Sequence, residues 1–199
     1  MDGTGKLFEP LISILPRHID VEIIPLSRLK DDDAKSQAIE LSGLLGEWEC
    51  VLFAESFSGN IAYELCKLPE MNIKHVLFAA SFLVRPSGII RFAHLSPLTS
   101  IRMNVIPKFI LAWTLFGSTK RIDLVDLFLD SLDVVSNATL RKRLRIIAAL
   151  KPPAEEILVP CTYLQATNDK LVTRRSIGSF QQVCVNLETQ ALSGGHFIA

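Results

Sequence analysis

Three residue types that together can make a hydroxyl nucleophilic occur in one order along this chain: Ser56, Asp169 and His196. A serine hydroxyl is a weak nucleophile at neutral pH; it needs an adjacent base, and the base needs an orienting partner. Each of the three directly follows a short run of strand-forming residues. Ser56 sits in Ala54-Glu55-Ser56-Phe57-Ser58-Gly59. A sharp strand-to-helix turn there lifts the serine out of a sheet at strained backbone angles, so the residues two before and two after must be small. Ala54 and Ser58 are small and depart only mildly from the G-x-S-x-G pattern, with Gly59 one place later. The segment alone reads equally well as a serine capping a helix after a strand. Asp169 alone reads as a turn former, and His196, after Gly194 and Gly195, as a surface residue. The coincidence of types, order and strand-end position favours the catalytic reading, in which the start of the helix after Ser56 also favours a developing oxyanion.

The elements that must position these residues alternate between short β-rich runs and helical stretches, the pattern of a mostly parallel sheet covered by helices. Strands are expected at residues 21–26, 49–54, 73–80, 161–166 and 185–192, and helices at 6–15, 31–45, after Ser56 to about 68, and 174–183. Pro25 places the first strand at a sheet edge or strand end. Asp31, Asp32 and Asp33 suit the positive end of their helix. Residues 85–151 lack a clear strand and read as helices broken at Pro97, Pro107, Gly117 and Asn137, an inserted helical cap ended by Pro152 and Pro153. The expected organisation is an α/β core over residues 1–84 and 152–199, interrupted by that cap at 85–151.

The chain of 199 residues allows one domain, and 49% apolar against 21% charged residues favours a packed core over disorder. Lys plus Arg equals Asp plus Glu, at 21 each, which argues against nucleic acid as a partner. The basic run Arg141-Lys142-Arg143-Leu144-Arg145 reads as a solvated helix face. Cys50, Cys66, Cys161 and Cys184 form no metal-ligand spacing and read as reduced, mostly buried thiols, consistent with a cytoplasmic location. His18, His75 and His94 read as structural or surface residues. The apolar stretch at 105–116 is too short to span a bilayer and leaves an interfacial helix open. No integral membrane segment, metal or cofactor is expected.

Four segments resemble α/β-hydrolases of the serine esterase type. Asp2-Gly3-Thr4-Gly5, followed by Leu7, Phe8, Pro10 and Leu11, resembles the oxyanion loop and first helix of members whose third strand ends in Pro-Gly-Leu-Asp-Gly-Thr-Gly. The Ser56 segment resembles their nucleophile elbow, Asn168-Asp169 with Leu171-Val172 their acid loop, and Gly194-Gly195-His196-Phe197 their histidine loop. The resemblance implies Ser56 as nucleophile, His196 as base, Asp169 as its orienting acid and the Phe57 N–H as one oxyanion donor. It implies cleavage of a carboxylic ester or related acyl bond in a small molecule through an acyl-enzyme. Phe92, Met103, Phe109, Trp113, Leu115 and Phe116 either line an apolar acyl pocket or pack an ordinary core. A carboxylate nucleophile, which dehalogenase or epoxide hydrolase chemistry needs, is absent from position 56.

Measured against the same family, the chain is expected to lack the strands before the oxyanion loop and the helix after His196. Met1 stands where the second oxyanion donor is expected, and exposed sheet edges invite self-association. The sequence therefore also admits a truncated, weakly active or inactive scaffold acting as a binding protein. Thioester hydrolysis or acyl transfer by the same triad is a further alternative.

Overall fold

The computed structural model of the chain describes residues 3–30, 33–86 and 106–198. Met1, Asp2, Asp31, Asp32, Phe92, His94, Pro97 and Met103, which carried expectations above, lie outside them. Four strands, β1 (Cys50–Glu55), β2 (Ile73–Ala79), β3 (Cys161–Ala166) and β4 (Leu187–Leu192), form one parallel sheet in the order β1-β2-β3-β4. Parallel neighbours need crossovers long enough to hold a helix. Helix α3 (Ser58–Cys66) joins β1 to β2 and α7 (Ile177–Val183) joins β3 to β4; α1 (Glu9–Ile14) and α2 (Ala34–Leu45) precede the sheet. Between β2 and β3 lie α4 (Lys108–Phe116), α5 (Ile122–Asp133) and α6 (Asn137–Ala148). Their ends fall at the expected breakers: Pro107 caps α4, Gly117 closes it in the left-handed conformation, and the Ser136 hydroxyl accepts from the Thr139 N–H at the start of α6. At α2 the Asp33 carboxylate accepts from the N–H groups of Lys35 and Ser36. Hydrogen bonding with Ser36, first through its side chain and then its backbone, holds that carboxyl below the usual range.

Two apolar clusters result. One surrounds the sheet, with Phe78 and Tyr163 packed at a tilt against Phe180 at ring separations of 4.7 and 5.0 Å. The other is built by Leu111, Leu115, Phe116, Val125, Phe128 and Leu140 of the three described β2–β3 helices, together with Leu7. Leu171 and Phe197, neighbours of Asp169 and His196, pack into this second cluster. The helices therefore bear directly on the loops that carry two of the three chemical groups.

Four expectations need correction. Residues 21–26 form no strand: the segment runs irregularly into a 3-10 turn at Leu26–Arg28, and the Leu26 N–H donates to Gly3 O at 2.8 Å. Pro25 lacks a ladder donor, and no described strand lies beside the segment to pair with it. Of the two readings of the α4 apolar residues, pocket wall or core, Phe109 and Trp113 follow neither. Phe109 and Trp113 are about half exposed, at 54% and 50%, while Leu115 and Phe116 face the second cluster. The basic run of α6 is solvated except at Arg143, which is buried against the loop at Gly3. Finally, only Cys161 and Cys184 among the four free thiols are buried; Cys50 and Cys66 are half-buried. Burial nevertheless pushes the Cys66 thiol up to about 12, with weaker contributions from Cys161 and Cys50, which keeps it protonated and inert. Among the described residues no helix is long and apolar enough to cross a membrane.

Candidate active site

Strand β1 ends at Glu55, and the chain turns at Ser56 with φ of 57°, a left-handed conformation unusual for a residue with a side chain. Such backbone strain costs about 1–3 kcal/mol and persists only where its surroundings over-determine it. Here the Ser56 N–H donates to Ala79 O at 2.9 Å, and the Ser58 hydroxyl donates back to Glu55 O at 2.7 Å. The turn packs tightly on β2: a Cβ added at Gly59 would stand 2.7 Å from the Ser81 side chain. The Ser81 hydroxyl is itself buried and donates to Ala54 O at 2.7 Å. Glycine is thus demanded at position 59, three residues after the serine, while Ser58 fills the usual glycine position.

Asp169 stands three residues past the end of β3, and His196 four past the end of β4. Their loops are stitched together beyond the sheet, with the Thr167 N–H donating to Leu192 O and the Asn168 N–H to Gly194 O, both at 2.9 Å. His196 is buried, with Nδ1 2.8 Å from Asp169 Oδ2 and Nε2 2.8 Å from Ser56 Oγ. A carboxylate can only accept, so Nδ1 carries the proton and Nε2 presents its lone pair to the serine hydroxyl. The other carboxylate oxygen, Oδ1, accepts from the N–H groups of Leu171 and Val172 at 2.7 and 2.9 Å. The negative charge thus holds three hydrogen bonds and a fixed orientation. Nearby, burial, and secondarily the Asp169 charge, push the Tyr163 phenol up, so it stays protonated and donates to Ser81 O at 2.9 Å.

Flanking the imidazole, the Gly195 and Phe197 N–H groups donate to Phe116 O and Leu115 O, each at 3.1 Å. These acceptors are carbonyls in the last turn of α4, which a helix leaves without internal partners. The approach is closer than any side chain tolerates, since a Cβ on Gly195 would fall 2.3 Å from Gly117 N and from the Phe116 carbonyl carbon. Gly195→Ala should therefore force the histidine loop away from α4. We expect it to destabilise the fold by about 1–3 kcal/mol in urea unfolding, with a fall in turnover beyond any loss of folded protein.

A cavity of about 80 Å³ opens beside the serine, lined by Gly3, Gly5, Phe8, Leu26, Phe57 and Phe197 among others. Gly3 and Gly5 adopt φ of 69° and 82°, which bring the loop backbone against Leu26 and Ile23. The Phe57 amide lies at the start of α3, where helical N–H groups lack internal acceptors. Ser56, Asp169 and His196 are therefore brought together, Phe57 lies beside them, and Phe109, Trp113, Leu115 and Phe116 of α4 do not line this cavity. The N-terminal loop residues that line it are legible as a motif, whereas their neighbours Ile24 and Leu26 carry the composition of a strand.

No protein-family profile and no curated protein matches the sequence. Solved structures do match. An esterase from Exiguobacterium antarcticum superposes with a TM-score of 0.66 at 13% identity, covering 82% of this chain and 67% of the esterase. The RedJ thioesterase of the prodiginine biosynthetic pathway in Streptomyces coelicolor covers 98% of this chain and 79% of its own, with a TM-score of 0.69 at 19% identity. A hydrolase from Oleispira antarctica covers 90% and 70%, with a TM-score of 0.65 at 14% identity. Taken with the parallel sheet and its helices, these likenesses show that the chain has the α/β-hydrolase fold.

Proposed function

We propose that this chain is a serine hydrolase that cleaves a carboxylic ester or related acyl bond of a small molecule through an acyl-enzyme. The observation that carries the reading is the continuous hydrogen-bond chain from Ser56 Oγ through His196 to Asp169, at 2.8 Å per step. In the first half-reaction the hydroxyl attacks the acyl carbonyl while Nε2 takes its proton. Asp169 holds the imidazole in the productive tautomer and stabilises the imidazolium. The oxyanion of the tetrahedral intermediate lies at the start of α3, within reach of the Phe57 N–H. Collapse expels the alcohol or thiol, with His196 supplying a proton where the leaving group needs one. Water then repeats the sequence on the acyl-enzyme and frees Ser56. The cycle uses only groups of the chain, the substrate and water. The described helices between β2 and β3, at residues 108–148, would belong to the cap expected over residues 85–151.

A thioester substrate is the second reading, favoured by the extent of the likenesses. RedJ and the type II thioesterase BorB from the borrelidin biosynthetic cluster each cover 98% of this chain, against 82% for the esterase. A fluorophosphonate probe tests both readings at once, because it phosphonylates only an activated serine. Labelling mapped to Ser56 by peptide mass is expected. An unlabelled, folded chain would favour a binding protein on a hydrolase scaffold. Relative turnover of p-nitrophenyl esters and matched acyl thioesters then separates the two substrate classes.

A further inference from the structure

We propose that Glu55, the residue before the nucleophile, is a positioning residue that locks the base to the nucleophile. This inference rests on the triad reading above. Glu55 ends β1, is only 6% exposed and lines the cavity at Ser56. Its Oε1 accepts from the Ile198 N–H at 3.0 Å, a contact between residues 143 positions apart. Ile198 lies two residues beyond His196. The two hydrogen bonds, Ile198 to Glu55 and Ser56 to His196, therefore close a ring whose other sides are the backbone of residues 55–56 and 196–198 and the three side chains that make the contacts. Within such a ring the 196–198 backbone that carries the imidazole cannot move away from the end of β1 without breaking the carboxylate contact.

The local chemistry supports the assignment. Burying a carboxylate is costly unless it is hydrogen-bonded, so its presence at this position calls for a partner that benefits from it. The Phe197 and Gly195 amides are held by α4, and the Ile198 amide is the remaining fixed point on the far side of the base. A side chain with an acceptor at the same reach can replace Glu55; one without cannot.

Glu55→Met keeps the length of the side chain and removes the acceptor, whereas Glu55→Gln keeps an acceptor oxygen without the charge. For p-nitrophenyl butyrate, we expect Glu55→Met to lower kcat by about 10- to 100-fold, the scale set by small misplacements of reacting groups. KM should stay within about twofold, and Glu55→Gln should recover most of kcat. If Glu55→Met does not fold, Glu55→Ala provides the same comparison. Amide hydrogen exchange of the peptide spanning residues 193–199 reads the tether without catalysis: it should quicken in Glu55→Met and not in Glu55→Gln. Unchanged exchange in Glu55→Met, or wild-type turnover by that variant, would overturn the assignment, as would a Glu55→Gln variant as impaired as Glu55→Met. An inert wild-type chain whose exchange still depends on Glu55 would instead sink the hydrolase reading and leave the tether standing.

Discussion

Ser56→Ala is expected to lower kcat on p-nitrophenyl esters by about 10⁶-fold, the scale seen when a triad nucleophile is lost, and to abolish fluorophosphonate labelling. The size follows from what remains. His196 keeps its bond to Asp169, and the start of α3 still offers the Phe57 N–H, but no group of the chain can form the acyl bond. Residual turnover requires direct attack by water, for which binding and the oxyanion site alone supply roughly 10³–10⁴ over solution. The fold should survive, because the turn is held by main-chain contacts that alanine retains: the Ser56 N–H to Ala79 O, and the packing of Gly59 on Ser81. The strain at φ of 57° is present with either side chain. A Tm within a few degrees of wild type with turnover removed is the expected result. Unaltered turnover would place the reactive group elsewhere.

Much of this site was legible before any coordinates. β3 falls on residues 161–166 as expected, β1 is displaced by one residue, β2 starts at Ile73 as expected and ends one residue early, and Ser56, Asp169 and His196 meet above the strand ends. Those features are local: a buried parallel strand needs a continuous apolar run, and the groups it delivers lie within a few residues of its end. What could not be read depends on distant partners. Residues 21–26 have the composition of a strand, but strand formation needs a neighbour to pair with, and Leu26 instead bonds to Gly3. The apolar, strand-free character of the α4 stretch marks a helix, but which of its residues are buried depends on the second cluster, which lies far off in sequence. Glu55 went unnoticed because nothing near it in sequence signals Ile198. Its position as a carboxylate in an otherwise apolar strand, beside the nucleophile, was the available hint.

Replacement of Asp169 by asparagine should cost about 10⁴-fold in kcat, the magnitude a tautomer error produces in the serine protease triad, and here the geometry dictates the error. Asp169 Oδ1 accepts from the Leu171 and Val172 N–H groups, so an asparagine must place its carbonyl oxygen there. A reversed amide would point two N–H donors at two N–H donors. The amide nitrogen then occupies the Oδ2 position, 2.8 Å from His196 Nδ1, and donates to it. Nδ1 must accept, which moves the ring proton to Nε2, opposite Ser56 Oγ. Nε2 can no longer remove the hydroxyl proton, although every heavy atom stays in place. Asp169→Ala leaves the imidazole unoriented but free to adopt either tautomer, and it also abandons the Leu171 and Val172 amides. We therefore expect Asp169→Asn to be well folded and at least as inactive as Asp169→Ala, with Asp169→Ala the less stable of the two. Turnover and urea unfolding of both variants check this ordering. An active Asp169→Asn would mean that the carboxylate does not set the tautomer, and that His196 is not the base.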